Sequence, residues 1–266
     1  MAKEDILSEQ TAEKTFTPIL GRDGMLLMLT WAAGSLDAIS YLGLDHVFPA
    51  MMTGNTVLLG LAIGQGEVLA ALRSILALLG FCAGVSIGAL IVERGEKQGD
   101  WPPAVTQALA LEAMLLGIFS AAWHLTQTTR GASAVHLLIL LSAIAMGIQA
   151  AAVRHLGVPG IATTYITGTL TSLFVDLAGW VRSALAPRPS RTAAAAKILD
   201  EPPTAQWEGR VGLLAGVFFM YAFGAMAGAI MQASSFATLP PLVAVALVVV
   251  NAAVLSRHRR HILRRY

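Results

Sequence analysis

The sequence predicts an all-α membrane protein, a polytopic bundle of helices built from two homologous repeats. Only 13% of its 266 residues are charged, whereas 56% are hydrophobic, and the mean hydropathy is +0.67. Charged residues make up about a quarter of an ordinary soluble domain, so this composition excludes the soluble class. The second observation is a set of four landmarks that occurs in the same order in both halves of the chain.

Six apolar segments are long enough to cross a membrane. About 20 helical residues, each rising about 1.5 Å, span a hydrocarbon core of about 30 Å. The six predicted spans are 24–44, 68–92, 103–125, 132–153, 211–232 and 236–255. Two more apolar segments, 46–66 and 158–181, are interrupted by Pro, Gly, Thr and Asn. We therefore predict six full spans plus two broken, half-helix segments, or eight spans if the broken segments also cross.

The recurring landmarks are short and rich in small residues. In the first half they are Gly34-Ser35-Leu36-Asp37-Ala38, Thr53-Gly54-Asn55-Thr56, the pair Gly84 and Gly88, and Pro102-Pro103; in the second half they are Gly147-Ile148-Gln149-Ala150, Thr167-Gly168-Thr169-Leu170, the pair Gly224 and Gly228, and Pro240-Pro241. Each match alone is weak, but four in one order indicate an internal duplication. Secondary transporters commonly have this body plan, with the pathway between the two copies.

Each broken segment is predicted to be an extended leg that leads into a half-helix. Pro49 and Pro159 disfavour helix in the legs, and the Thr-Gly landmarks that follow are typical of helix starts. Buried half-helix N-termini would then point into the protein near mid-membrane, where the free N–H groups carry partial positive charge. We expect the two half-helices to line one substrate site with the following residues: Thr53, Gly54, Asn55, Thr167, Gly168 and Thr169.

Basic residues cluster before the first span, in the stretch 182–210 that contains the loop 183–208, and in the tail 256–266. The positive-inside rule places all three on the cytoplasmic side. We therefore expect a cytoplasmic segment at 1–23, a first membrane repeat at 24–125, and a second at 132–255 that contains the cytoplasmic loop. Basic-residue counts leave open whether the repeats are parallel, with eight spans, or inverted, with six. Inversion is favoured because it is a natural basis for alternating access.

Three polar residues inside apolar runs are candidates for substrate contact. Asp37 and Glu112 are ionisable, and a carboxyl within a span costs about 2.5 kcal/mol or more on insertion scales. We expect them to contact a substrate or to couple transport to a proton or cation. The alternative for Asp37 is a structural hydrogen bond to the nearby broken segment, and the alternative for Glu112 is burial in a hydrogen bond between helices. Gln149 is the expected counterpart of Asp37 in the second repeat.

Several classes of function are excluded by missing motifs. The sequence has no metal-ligand spacing, no nucleophile–base signature and no phosphate-binding loop. We therefore expect no enzyme activity, no cofactor, no metal and no ATP-driven pump. The arginine-rich tail is expected to contact the lipid bilayer rather than nucleic acid. Glycines four residues apart favour close helix packing within the chain, and a homodimer through the same glycine-rich faces is the alternative.

One combination of motifs resembles a known family. The sequence contains Gly34-x-x-Asp37-Ala38-Ile39-Ser40-Tyr41, Val47-Phe48 and Met52-Thr53-Gly54-Asn55-Thr56-Val57. This combination resembles the YoaK-like family of bacterial membrane proteins, whose function is unknown, and the similarity extends over about residues 24 to 256. The resemblance implies a multi-pass protein of the bacterial cytoplasmic membrane, and it supplies no substrate and no site residues.

From these features we expect a secondary transporter or facilitator for a small solute or ion, with both termini cytoplasmic. The main alternative is a scaffold or accessory subunit in which the broken segments are only packing devices. The sequence leaves open the substrate and its charge, the direction of transport, the coupling ion and the oligomeric state.

Overall fold

The computed structural model describes residues 20–95, 101–128, 130–159, 163–164, 166–185, 204–234 and 236–263. Regular structure in these residues is entirely helical. The helices are α1 Arg22–Gly43, α2 Met52–Gln65, α3 Val68–Val92, α4 Pro103–Leu125, α5 Ala132–His155, α6 Ile166–Leu185, α7 Thr204–Met231 and α8 Leu239–Leu263. Six of them, all but α2 and α6, are long and apolar enough to cross a membrane. The chain is therefore a polytopic helical membrane protein, as the composition predicted.

The helix boundaries agree with the predicted spans to within about three residues, except that α7 begins at Thr204, before the predicted span 211–232, and that α8 ends beyond its predicted span. The predicted spans 68–92 and 103–125 coincide with α3 and α4. The start of α1 lies inside the predicted N-terminal segment, and α8 continues to Leu263, inside the predicted tail. Charged residues at these ends are compatible with helix, and hydropathy alone does not detect them. Most of the predicted loop 183–208 lies outside the described residues, apart from its two helical ends.

Four helices form a central ring. Going around the ring, α1 contacts α8, α8 contacts α4, α4 contacts α5, and α5 contacts α1. The interior is filled by large apolar side chains from these helices, and Leu29, Leu36, Leu109, Leu116 and Leu138 are among the buried residues. Outside the ring, α7 packs on α1 and α3 packs on α5. The two remaining helices are peripheral, with α2 on α3 and α6 on α7.

The contact between α1 and α7 brings two backbones together. A Cβ atom at Gly34 would overlap the carbonyl oxygen of Tyr221, and one at Gly224 would overlap the carbonyl oxygen of Trp31. Only glycine leaves room for this approach. Small residues spaced four apart permit such close crossings inside membranes, where dispersion contacts replace the hydrophobic effect as the force between helices.

The contact between α3 and α5 repeats this arrangement. A Cβ atom at Gly147 would overlap the carbonyl oxygen of Phe81, and one at Gly84 would overlap the carbonyl oxygen of Ile144. Phe81 precedes its glycine by three residues, as Tyr221 precedes Gly224 on α7. The first helix of each half therefore crosses the third helix of the other half. This reciprocity is what a duplicated chain would produce, although the duplication itself stays a prediction.

In these crossings the glycine faces pack against other helices of the same chain. Gly84 and Gly88 face α5, and Gly224 and Gly228 face α1, as the packing interpretation predicted. A homodimer through glycine-rich faces stays a prediction. It would have to use glycines such as Gly212, where the space around a Cβ atom is open.

Contacts at the helix ends fix the directions of the helices. We call the side on which α1 begins the near side and the side on which it ends the far side. Arg130, just before α5, donates from Nη1 to the carbonyl oxygen of Gly43 at 3.1 Å. Near the other end of α5, Gln149 Nε2 donates to the Leu29 carbonyl oxygen at 3.2 Å. Hence α5 runs antiparallel to α1, from the far side to the near side.

The first broken segment turns back to the side from which it enters. Residues 44–51, which we call the first leg, follow α1 and lead to the start of α2. The amide of Ala50 bonds Asp37, six residues before the end of α1. At the other end of α2, Arg73 on α3 forms an ion pair with Asp45 at 2.7 Å. The segment therefore descends from the far side and returns to it, and α2, at about 21 Å, is too short to cross.

The second broken segment is located on the near side. Its leg, of which residues 156–159 and 163–164 are described, follows the near-side end of α5. On α6, Asp176 pairs with Arg210 on α7 at 3.0 Å, and Leu173 packs beside Leu214. The leg and α6 therefore lie against the near-side half of α7. The two broken segments enter from opposite sides, which is the arrangement expected of inverted repeats.

Replacement of Gly224 by alanine should destabilise the fold by about 1–3 kcal/mol, because the added methyl group displaces α1 from α7. Thermal unfolding of the purified protein in detergent measures this effect. Gly212→Ala is the matched control on the same helix, since no atom lies within 4 Å of its Cβ position. Equal unfolding temperatures for the two variants would contradict the close crossing.

Cysteine labelling should place both ends of the first broken segment on one side of the membrane. In a Cys82→Ala background, His46→Cys lies at the start of the segment and Gln65→Cys at the end of α2; both positions are exposed. A membrane-impermeant maleimide is expected to label both from the same side of sealed vesicles. Labelling from opposite sides would mean that α2 crosses and that the eight-span arrangement is correct.

Candidate functional site

The first leg is held by one buried amide side chain. Asn55, on the first turn of α2, is fully buried. Its Oδ1 accepts from the Phe48 amide at 3.0 Å, and its Nδ2 donates to the Phe48 carbonyl oxygen at 2.6 Å. Backbone groups in a membrane interior need such partners, because lipid supplies none. Asn55 therefore gives the Phe48 backbone the hydrogen bonds that neighbouring turns would give it in a helix.

Asp37 is the second group that holds this leg. Its Oδ1 accepts from the Ala50 amide at 2.8 Å. Its Oδ2 accepts a short hydrogen bond from the Tyr221 hydroxyl of α7. The side chain is 3% exposed. This is the structural role that the sequence left as the alternative for Asp37, and the carboxyl joins α1, the leg and α7 at one point.

Gln149 has a related position on the near side. Its Nε2 donates to Thr163 Oγ1 in the second leg at 2.9 Å, in addition to its bond to α1. Its Oε1 has no hydrogen-bond partner among the described residues. When the two glycine crossings are aligned, Gln149 corresponds to Leu36 and not to Asp37. Gln149 follows Gly147 by two residues, whereas Asp37 follows Gly34 by three. It is therefore a counterpart of Asp37 in role rather than in register.

The two half-helices do not meet, contrary to the shared site that we expected between them. Among the described residues, no Cα atom of α2 lies within 8 Å of one in α6. The reason is that neither leg reaches the middle of the span. Asp37 and Gln149 each lie six residues from the end of their helix, so each leg reaches only about 9 Å below its own side. About 15 Å of the span separates the two tips.

The predicted lining residues accordingly fall into two separate groups. Thr53 and Gly54 lie beside Asn55 at the start of α2, where Thr53 is exposed and Gly54 is half-buried against the Phe48 ring. On α6, Thr167 is exposed, Gly168 is half-buried and Thr169 is fully buried. A role of these residues in substrate binding stays a prediction, and the structure assigns the two groups to opposite sides.

Glu112 is the predicted site residue of the central ring that bonds neither broken segment. It lies on α4, nine residues from the near-side end, or about 14 Å along the helix axis. The side chain is fully buried, and neither carboxyl oxygen has a hydrogen-bond partner among the described residues. Its depth falls between those of the two leg tips. A buried, unpartnered carboxyl is costly, so a bound proton or cation is the chemistry that this position can offer.

Two residues that the sequence did not single out complete the far-side end. Tyr221 holds Asp37, and Arg130 links α1 to the end of α4 by donating to Gly43 and to the Trp123 carbonyl oxygen at 3.2 Å. The Arg130 guanidinium also lies 4.0 Å from the centroid of a Trp123 ring. The sequence gives one clue to the importance of Tyr221, which is its position three residues before Gly224. Arg130 lies between two spans, and nothing local marks its partners.

The comparisons with known proteins identify a family of unknown function and a transmembrane relative. Residues 25–254 match the family described as protein of unknown function DUF1275. The chain belongs to this family. It is also similar to UPF0700 transmembrane protein YoaK of Bacillus subtilis (strain 168), with 48% identity over 158 residues that cover 59% of this chain and 68% of the relative. No solved structure gives a significant match. The DUF1275 match begins in α1 and ends in α8, so it includes both broken segments.

Asn55→Asp should loosen the first leg in this DUF1275 protein. Aspartate has nearly the same shape but cannot donate to the Phe48 carbonyl oxygen, so the variant leaves a buried acceptor unpaired at a cost of about 1–3 kcal/mol. Hydrogen–deuterium exchange over residues 46–51 is expected to increase. Thr56→Val on the exposed side of the same helix is the control, and it should leave this exchange unchanged. Equal protection in the two variants would contradict the role of Asn55.

Proposed function

We propose that the protein is a secondary transporter or facilitator for a small solute in the bacterial cytoplasmic membrane. The near side is then cytoplasmic, because α1 begins and α8 ends there, and clusters of basic residues adjoin these two helix ends in the sequence. The observation that supports this function best is the pair of broken segments on opposite sides, each bound to a buried polar side chain of the ring. The proposal involves no chemical step and no cofactor.

Alternating access follows if the two legs are released in turn. The Asp37 contacts hold the far-side leg, and the Gln149 contacts hold the near-side leg. These are a few hydrogen bonds each, worth about 0.5–3 kcal/mol apiece, so opening one side at a time costs little. The glycine crossings interlock backbones and are suited to remain fixed. Each leg is therefore the moving part on its own side.

Glu112 is the group that would connect the two sides. It lies at a depth between the leg tips, and it lacks a partner among the described residues. Carboxyls in such positions mark proton and ion pathways in transporters. In this proposal Glu112 exchanges a proton or cation as each leg opens, which couples the movement of the solute to that ion.

One observation favours the scaffold as a second candidate. The interior of the ring is packed by apolar side chains, and Asp37 has protein partners for both carboxyl oxygens. A scaffold needs such a closed core and no movement of the legs. For a transporter, the same packing is the occluded state between openings. The two candidate functions therefore differ in whether the protein binds a solute and whether its legs move.

A ligand screen followed by reconstitution separates these candidates. Thermal stability of the purified protein is measured with inorganic ions, organic acids, amines and common antibiotics at two pH values, since ligands stabilise by mass action. A stabilising compound is then tested for uptake into proteoliposomes. We expect uptake by the wild type, at least tenfold less by Asp37→Asn, and loss of the response to a pH or ion gradient in Glu112→Gln.

The control for both variants is Asp23→Asn. Asp23 lies in the first turn of α1 with its side chain 58% exposed, and its loss should leave uptake unchanged. Membrane insertion of every variant is checked in parallel. Full uptake by both Asp37→Asn and Glu112→Gln would contradict the proposed site. A screen without any stabilising compound and without uptake would favour the scaffold.

A further inference from the structure

The Glu112 carboxyl is enclosed by apolar side chains. On the buried face of α4 its neighbours are Ala108 and Leu109, one turn before it, and Leu116, one turn after it. Neither of its carboxyl oxygens is accessible to solvent, and neither has a hydrogen-bond partner among the described residues. A negative charge on Glu112 would therefore be unsolvated in the interior of the ring.

The helices that pack on α4 supply no opposite charge at this depth. These helices are α5, α8 and α3. The apolar part of α8, Leu239–Ser256, contains no ionisable residue. Ionisable residues of α5 and α3 lie close to the helix ends or are exposed, and they are His136, Arg154, His155, Arg73 and Cys82. Glu112 therefore has no counter-ion among the described residues of these helices.

A metal ion at Glu112 would lack backbone ligands. Mg²⁺ and Ca²⁺ take about six oxygen ligands or more, and Na⁺ in transporters is commonly held by carbonyl oxygens of unwound helices. The helices around Glu112, which are α4, α5, α8 and α3, are each continuous at this depth. Their carbonyl oxygens accept hydrogen bonds from the next turn of the same helix, so they do not form a cation site.

Side-chain ligands for a metal ion are missing as well. Of the other buried polar residues, Ser120 on α4 bonds Thr238, and Ser142 on α5 bonds a carbonyl oxygen of its own helix. Gln149 Oε1 is unpaired among the described residues and adds one oxygen at most. The described residues contain no cluster of three or more His, Cys, Asp or Glu that could hold a metal ion. A proton, in contrast, needs no ligand beyond the carboxyl itself.

We propose that Glu112 holds a proton in the closed ring and that the proton is the coupling ion of the proposed transporter. An ionised carboxylate without a partner in an apolar interior is so costly that the group takes up a proton instead. The protonation of Glu112 follows from its burial alone. Only the coupling role rests on the proposed function, which by itself leaves the choice between a proton and another cation open.

Release of this proton requires that water reach Glu112. When a leg opens and water enters, the O–H bond of the carboxylic acid breaks, and the proton passes to a water molecule to give hydronium and the Glu112 carboxylate. The carboxylate is stable only while water or a cationic group solvates it. The ring therefore closes again only after a proton has returned, which couples opening to proton exchange.

Infrared spectroscopy tests the protonation of Glu112 directly. A protonated carboxyl has a C=O stretching band apart from those of ionised carboxylates and amides, and this band moves to lower frequency when deuterium replaces the proton. The purified protein is measured at about pH 8, where exposed carboxylates are ionised, in a maltoside detergent, which has no carbonyl group. We expect the wild type to show such a band and Glu112→Gln to lose it, because glutamine has nearly the same shape but no carboxyl.

Matched variants assign the band to Glu112. Glu67→Gln makes the same change at an exposed glutamate, and it should leave the band unchanged. Glu112→Asp keeps a carboxyl on a shorter side chain, and it should show the band at a shifted frequency. Asp37→Asn identifies any band that comes from the buried carboxyl of the first leg. Thermal unfolding confirms that each variant is folded.

Two results would overturn the proton on Glu112. One is a wild-type spectrum without the band, or with a band that Glu112→Gln retains, because Glu112 would then be ionised. The other is loss of the wild-type band when NaCl, KCl or MgCl₂ replaces choline chloride, because a metal ion would then displace the proton.

The spectra need no solute, so their outcome is separate from that of the uptake assay. The Glu112 band without uptake of any compound would reject transport and leave the proton on Glu112 in place. Uptake driven by a sodium gradient at equal pH on both sides would keep transport and overturn proton coupling.

Discussion

The fold depends on one constraint: backbone groups that leave the helical pattern inside a membrane need protein partners, because lipid offers none. The first leg meets this constraint through Asn55 and Asp37, which bond Phe48 and Ala50. The second leg is bonded by Gln149 at Thr163. Each of these polar side chains is costly in an apolar core unless it is paired. The buried polar side chains and the non-helical legs therefore depend on each other, because each supplies the hydrogen-bond partners of the other.

The glycine crossings decide where the legs can be. Gly34 and Gly224 bring α1 against α7, and Gly84 and Gly147 bring α3 against α5. The four ring helices then fill the centre with apolar side chains, which leaves α2 and α6 on the outside and on opposite sides. Motion that separated the crossings would expose backbone and lose many dispersion contacts. Motion of a leg breaks only a few hydrogen bonds, which is why the legs are the natural place for a change of shape.

Several features could be predicted from local patterns. The span 103–125 coincides with α4 because Pro103 fits the first position of a helix and an apolar run follows it. The inward position of Asp37 and Glu112 followed from the cost of a carboxyl in lipid. The separation of the two half-helices could not be predicted, because leg depth depends on which residue of a neighbouring span bonds the leg. Tyr221 and Arg130 were missed for the same reason, since their partners are distant in sequence.

The sequence by itself determined that this is a membrane protein, where its six long apolar spans lie, and which residues interrupt the helices. These properties depend on hydropathy and on the local conformational limits of proline, glycine and threonine. Only the tertiary structure decided that the first helix of each half pairs with the third helix of the other half. It also decided that the first broken segment returns to the side from which it enters and that the legs stop about 9 Å below opposite sides. These are contacts between residues far apart in the chain, and their energies depend on backbone approach and burial that no local pattern records.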